Sequence, residues 1–232
     1  MVRDVVSSLQ SGIYSFPHFS PHALAAFSNR EFDASKDLPS YLEKLEIGPE
    51  RFATVNQVHG SGIVLASEER KGELDEGDAL VTNRRNLALV IRTADCVPLF
   101  LLDDKTRSIG LVHVGWKGAR KGIVRQTVEE LNRKFGVEAS TLEAAIGPAI
   151  RACCYEVGEE FEAYFPGFVR RREGRRVFDL AGWVKRELRE VGLPEHSVSD
   201  SNLCTACSTG RFFSARREGQ ETGRMLSVLM LK

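Results

Sequence analysis

Between residues 86 and 115 the chain alternates short apolar runs with polar breaks: 87–91, 97–102 and 109–114, the last two separated by Asp103-Asp104-Lys105. Unbroken apolar runs of this length, bounded by turn residues, predict buried strands, and the charged break predicts a hairpin joining the last two. After Gly118 the period changes. Val124, Val128, Leu131 and Phe135 recur at the spacing of one helix face, and Gly136 supplies the stop signal. Further helices are expected at 158–165 and 180–191, the second ended by Gly192 and Pro194, and a final strand at 225–231. The stretch 68–78, charged and glycine-containing, reads as a surface loop.

Strands and helices therefore mix without the strict alternation of a parallel doubly wound fold, which favours an α+β class with mixed β-sheets. No linker-like stretch or fixed-period repeat interrupts the chain, so residues 1–232 read as one domain. The 232 residues are 42% hydrophobic and 28% charged, which excludes disorder and fibre and supports a full core without staples. Thirty-two basic and 32 acidic residues leave no net charge, so no global field draws in nucleic acid or an acidic membrane. The opening MVRDVVSSLQ lacks the apolar run of an export signal, and no stretch reaches the length of a membrane span. A cytoplasmic protein is expected.

Two of the five histidines, His59 and His113, each end an apolar run and precede or closely precede a glycine. Between them Arg92, Asp95 and Cys96 interrupt a buried region, where charge is costly unless it is paired or bound. Two imidazoles and one thiolate are the donors that zinc or copper accepts, and three protein ligands leave a fourth position open. Drawn from residues 59 to 113, such a site is assembled by the fold and has no zinc-finger spacing. The same residues permit a rival reading, with Cys96 as nucleophile, His113 as its base, and Asp95 or Gln57 as orienting partner.

The remaining features are weaker. Cys204-Thr205-Ala206-Cys207 is one CxxC without a second pair and reads as coincidence, while a Cys153–Cys154 disulfide would be strained, so these two read as core or cleft lining. The odd cysteine count favours reduced thiols. The arginine-rich 169–176 lacks interleaved aromatics and reads as a solvated hairpin or loop. Lys117, Arg120 and Lys121 open the same expected helix, where an anion is favoured.

Five ordered motifs carry a resemblance. Asn56-Gln57-Val58-His59-Gly60, Thr93-Ala94-Asp95-Cys96-Val97-Pro98, His113-Val114-Gly115-Trp116-Lys117-Gly118, Ile146-Gly147-Pro148 through Cys153-Cys154-Tyr155-Glu156-Val157-Gly158, and Phe212-Phe213-Ser214 through Thr222-Gly223-Arg224 together resemble the YfiH, or multicopper polyphenol oxidoreductase (laccase-domain), family. That family is also described as purine nucleoside phosphorylase and as peptidoglycan editing factor. The resemblance runs from about residue 20 to the end of the chain.

The resemblance implies a four-layer α/β/β/α fold and a zinc site in which His59, Cys96 and His113 match the family's ligands. It implies phosphorolysis of adenosine, inosine, guanosine and methylthioadenosine, deamination of adenosine, and a link to peptidoglycan precursor fidelity. The small-molecule partners would then be a purine nucleoside and phosphate. Arg92, Lys117 or Arg30 are candidates for the phosphate clamp, Asp95 or Asp78 for proton transfer, and Arg30, Gln57 and Asp78 for substrate binding. A cysteine hydrolase or amidase acting on a cell-wall precursor, a non-catalytic binding partner, and a copper-dependent polyphenol oxidase are the alternatives. The last is disfavoured by the lack of paired His-x-His ligands. Phe27-Ser28-Asn29-Arg30-Glu31-Phe32 lacks the family's glycines, and Ala149-Ile150-Arg151-Ala152 replaces a stretch often rich in Cys, Gly and Pro.

Overall fold

A computed structural model of the chain describes residues 5–19 and 21–232; the first four residues of the opening segment, on which the expectation about export partly rests, lie outside these. The first half of the chain forms β1 (Ser7–Gln10), β2 (Ile13–Ser15), β3 (Ala23–Ser28), α1 (Leu38–Lys44), β4 (Phe52–Asn56), β5 (Ile63–Leu65), β6 (Gly72–Glu76), β7 (Ala79–Thr82), β8 (Ala88–Thr93), β9 (Val97–Asp103) and β10 (Ser108–Val114). There follow α2 (Trp116–Arg120), α3 (Ile123–Phe135), β11 (Glu143–Ile146), α4 (Glu160–Tyr164), β12 (Val169–Arg172), β13 (Arg175–Phe178), α5 (Leu180–Glu190), β14 (Val198–Asp200), α6 (Ala215–Glu218) and β15 (Met225–Leu231).

A seven-stranded sheet runs β1-β2-β3-β15-β8-β4-β6 and a six-stranded sheet runs β14-β11-β9-β10-β7-β5. Both are mixed: β4 pairs parallel to β6 and β8, and β5 to β7, among antiparallel neighbours. The alternation of side chains along each strand sorts residues between cores. On β9, Val97, Leu99 and Leu101 pack toward the helices, whereas Phe100 and Leu102 face the other sheet. On β8, Leu89 and Ile91 face the inter-sheet core, while Ala88 and Val90 pack outward beside Tyr41 and Leu42 of α1. The layers are therefore α1, the seven-stranded sheet, the six-stranded sheet, and α3 with α5, the α/β/β/α order that the resemblance implied. Strands buried on both faces explain why residues 87–114 read as continuous apolar runs.

The single helix expected after Gly118, opened by Lys117 to Lys121, is two: α2 and α3. Gly122 adopts a left-handed φ of 75° between α2 and α3, a conformation that glycine reaches without a Cβ clash. α3 then buries Ile123, Val124, Thr127, Val128 and Leu131 on one face and ends at Gly136, also left-handed. The 68–78 stretch is not simply a loop. It contains β6, the edge strand beside β4, whose largely exposed, charged residues carry no apolar alternation because pairing is through backbone groups. Residues 169–178 form the hairpin β12–β13, in which Arg176 pairs with Glu162 at 2.8 Å and Glu159 at 3.6 Å. Among the described residues no helix is long and apolar enough to cross a membrane.

Candidate active site and metal centre

His113 is the best anchored of the three proposed ligands. It lies in β10, paired on both sides, and its ring is 3% exposed. Its backbone N–H donates to the Asp78 carbonyl at 2.7 Å, and its Nδ1 lies 2.8 Å from Asp78 Oδ1. A carboxylate at Nδ1 holds the proton there and turns Nε2 outward as the lone-pair nitrogen. The same carboxylate accepts the backbone N–H groups of His59 at 3.0 Å and Gly60 at 2.6 Å. Asp78 is fully buried and thus ties the turn after β4 to the C-terminal end of β10.

Cys96 sits in the tight connection between β8 and β9, with Asp95 before it at φ 86°. His59 is also left-handed, at φ 56°. Two non-glycine residues in this region at one site are the kind of strain that a surrounding structure must hold in place. The ligand atoms of His59, Cys96 and His113 lie within 4.8 Å of one another, and the two rings meet edge-on with centroids 4.8 Å apart. A Cβ on Gly115 would come within 3.0 Å of Cys96 Sγ and 3.2 Å of His59 Cδ2, so the close approach of ring and thiol requires glycine there. Burial opposes ionisation of Cys96, but the flanking imidazoles of His113 and His59 outweigh it and bring the thiol down to about 6. Burial likewise opposes charge on His113; the Cys96 thiolate and Asp78 reverse this and raise the imidazole to about 9.

These residues open into a cavity of about 560 Å³ whose walls also include Asn56, Gln57, Arg92, Trp116, Tyr155 and Arg216. Arg224 and Gln220 complete one side. Three arginines line this cleft, although Arg92 also pairs with Glu73 at 3.4 Å, Arg216 donates to the Glu156 carbonyl at 2.7 Å and Arg224 to the Gln220 carbonyl at 2.9 Å. Among the described lining residues the one acid, Asp95, is already bonded, accepting from Thr205 Oγ1 at 2.5 Å, Ser214 Oγ at 3.0 Å and the Arg216 N–H at 2.7 Å.

The site residues expected from sequence fall into three groups. His59, Cys96, His113, Arg92, Gln57 and Asp95 line the cavity. The Gln57 amide, however, is engaged with the backbone of Arg92, donating to its carbonyl and accepting its N–H, both at 2.8 Å. Asp78 stands behind the histidines and not on the cavity wall. Arg30 and Lys117 lie off the wall: Arg30 binds the Thr209 carbonyl and Glu218, and Lys117 rests against the Trp116 ring. Arg216, Arg224 and Tyr155 were not singled out from sequence, although each lies in a motif that carries the resemblance.

Cys153 and Cys154 are neither core nor cleft lining. Cys153 is exposed and Cys154 half-buried, and both lie beside Cys204 and Cys207. All five cysteines are free.

The family model described as multi-copper polyphenol oxidoreductase laccase matches residues 25–232. The chain belongs to this family. A purine nucleoside phosphorylase of Deinococcus radiodurans is 41% identical over 186 residues, covering 78% of this chain and 70% of that protein. One from Bacteroides thetaiotaomicron is 35% identical, covering 82% and 74%. An adenosine deaminase from an unknown prokaryotic organism is 32% identical, covering 72% and 67%. Among solved structures, YlmD from Geobacillus stearothermophilus matches with a TM-score of 0.92 at 25% identity over 99% of both chains. YfiH from Bacillus licheniformis shares the fold at a TM-score of 0.91 and 24% identity, over 98% of this chain and 99% of that one. The family is a metal-binding one, and the donor set His59, Cys96 and His113 is in keeping with that.

Proposed function

We propose that this protein is a zinc-dependent purine nucleoside enzyme that uses phosphate to cleave nucleosides and also deaminates adenosine. The observation that carries the reading is the joining of two chemistries in one cleft: two imidazoles and a low-pKa thiol on its floor, and three arginines on its wall. The relatives named purine nucleoside phosphorylase and adenosine deaminase support the substrate class. Adenosine, inosine, guanosine and methylthioadenosine share the purine and ribose this reading requires, and the link to peptidoglycan precursor fidelity and a cytoplasmic setting belong to the same reading.

The donors fit zinc. Each is an N or S atom, the orienting hydrogen bond to one imidazole is already made, and the donor atoms lie close together. His59, Cys96 and His113 would hold the ion, which when bound supplies Lewis acidity at the cavity floor. Arg92, Arg216 and Arg224 hold the phosphate and offset its charge, positioning an oxygen toward C1′ as the bond from C1′ to the purine breaks. Tyr155 and Trp116 present aromatic faces to the base. Asp95, with three donors on its carboxylate, acts by fixing the Arg216 backbone.

The test is product analysis of adenosine and inosine with and without phosphate, alongside metal content, for wild type and Cys96→Ala. Phosphate-dependent release of free base, and inosine formed from adenosine without phosphate, both lost with the metal in the variant, support the reading. A fully metal-loaded wild type that turns over neither nucleoside refutes it. One observation favours a second reading, a Cys96 nucleophile with His113 as its partner: the thiol lowered to about 6 against an imidazole raised to about 9. That reading requires the metal-free protein to be the active form and to lose activity in step with alkylation of Cys96.

A further inference from the structure

The exposed face beside the cleft holds a second set of soft donors. Two short turns meet there. Arg151 to Cys154 form one, in which the Cys154 and Tyr155 N–H groups return to the Arg151 carbonyl at 2.8 and 2.9 Å. Cys204 to Cys207 form the other, closed by the Ser208 N–H on the Cys204 carbonyl at 3.2 Å. The segments are joined by a parallel bridge between Ala149 and Cys204, with the Ala149 N–H on the Leu203 carbonyl at 3.2 Å and the Thr205 N–H on the Ala149 carbonyl at 3.1 Å. All four thiols therefore point into one space. Their sulfurs lie within 4.8 Å of one another, and Cys207 Sγ is 3.3 Å from Cys153 Sγ and 3.2 Å from Cys154 Sγ.

We infer that Cys153, Cys154, Cys204 and Cys207 form a second metal site, a tetrathiolate that binds one zinc ion and is separate from the centre at His59, Cys96 and His113. Zinc bound by four sulfurs at about 2.3 Å in a tetrahedron places those sulfurs about 3.8 Å apart. Two of the separations here are 3.2 and 3.3 Å and none exceeds 4.8 Å, so closing on an ion requires only small side-chain shifts. Four thiols packed this closely repel one another once ionised, and a divalent cation is the charge that offsets them. Binding releases the thiol protons to solvent and leaves the sulfurs unoxidised.

The ion would clamp the cleft wall. Tyr155 follows Cys154 directly, Ile150 donates to the Asp95 carbonyl at 2.9 Å, and Thr205 donates to the Asp95 carboxylate. Joining the two turns thus fixes residues on both sides of Asp95, and the role is structural.

The experiment is metal counting on reduced, anaerobically purified protein, with cobalt substitution as the spectroscopic readout. The variants are Cys153→Ser with Cys207→Ser, both at exposed positions, and separately Cys96→Ala. The expected result is two zinc ions per wild-type chain and one in each variant. Cobalt-loaded Cys96→Ala should show the strong sulfur-to-cobalt and tetrahedral ligand-field bands of a tetrathiolate, and the double serine variant should lack them. Zinc should raise the melting temperature of Cys96→Ala and leave that of a triple variant unchanged. A single zinc in wild type that disappears in Cys96→Ala and persists in the double serine variant overturns the inference. So does wild-type cobalt protein without tetrathiolate bands, a measurement that needs no variant to fold. Because the two centres are counted separately, failure of one assignment leaves the other standing.

Discussion

Replacing Asp78 by asparagine tests the centre at its most constrained hydrogen-bond acceptor. The carboxylate is fully buried and serves three N–H groups, from the His113 ring, His59 and Gly60. Asparagine keeps the shape and loses one acceptor. With its oxygen turned to the histidines, its NH₂ confronts the Gly60 N–H, and leaving a buried donor unmatched costs about 1–3 kcal/mol. For a chain of this size each kcal/mol moves the melting temperature by about 2–4 °C, so the metal-free variant should melt about 2–12 °C lower. The hydrogen bond to His113 also loses its charge, and removing such a partner typically weakens metal binding by about 10–100-fold, or about 1.4–2.7 kcal/mol. At saturating metal the whole of that loss appears as reduced ligand-linked stability. The gap between wild type and variant should therefore be larger in excess zinc than with chelator.

Competition against a chromophoric chelator gives the zinc affinity, and melts with chelator or excess zinc give the two stability gaps. Zinc affinity within threefold of wild type, with equal gaps in the two melts, would show that Asp78 does not orient the ligand set. A lower melting temperature in chelator with unchanged zinc affinity would make Asp78 a structural acceptor only, and would remove the argument that it selects the His113 tautomer.

Four further outcomes follow from the same geometry. Arg216→Ala should raise the KM for phosphate about tenfold, equivalent to about 1.4 kcal/mol, whereas Lys117→Ala, which lies off the cavity wall, should change it less than twofold; steady-state kinetics at varied phosphate decides. In metal-free protein, alkylation of Cys96 should climb as pH passes about 6 and level off, whereas an ordinary thiol is only half-ionised at about 8.5 and gains reactivity beyond it. The lowered Cys96 stabilises the fold increasingly as pH rises from about 6, and the raised His113 loses its stabilisation as pH climbs toward about 9, so urea melts of metal-free protein should show these terms offsetting between roughly 6.5 and 9. Gly115→Ala should give folded protein with depleted zinc at the His59, Cys96 and His113 centre, because its Cβ would fall 3.0 Å from the thiol; metal analysis and circular dichroism check both halves.

The parts of the fold legible in the sequence are those where burial itself has a period. β8, β9 and β10 show as apolar runs because both their faces are covered, and α3 shows as a stripe because one face packs on the six-stranded sheet. β6 has no such pattern, since an edge strand is held by backbone bonds to β4 and leaves its charged side chains in water. His59, Cys96 and His113 stood out because each polar donor interrupts or ends an apolar run. Asp78 was a candidate for proton transfer or substrate binding, and its place behind His113 was not legible, because it closes a charged stretch and only the pairing of β7 with β10 brings it there.

The four outer cysteines show the limit most sharply. Cys153-Cys154 is poor as a disulfide and Cys204-Thr205-Ala206-Cys207 is incomplete as a metal motif, so local reasoning discounts each. The bridge from Ala149 to Cys204 changes both at once, supplying to each pair the two ligands that it lacks. The histidine centre is likewise assembled from separate turns, after β4, after β8 and on β10, and Asp95 connects the two regions through Ile150 and Thr205. Loss of the outer clamp should therefore act on Arg216 and Tyr155 before it reaches His113, which is held independently by the centre of a six-stranded sheet.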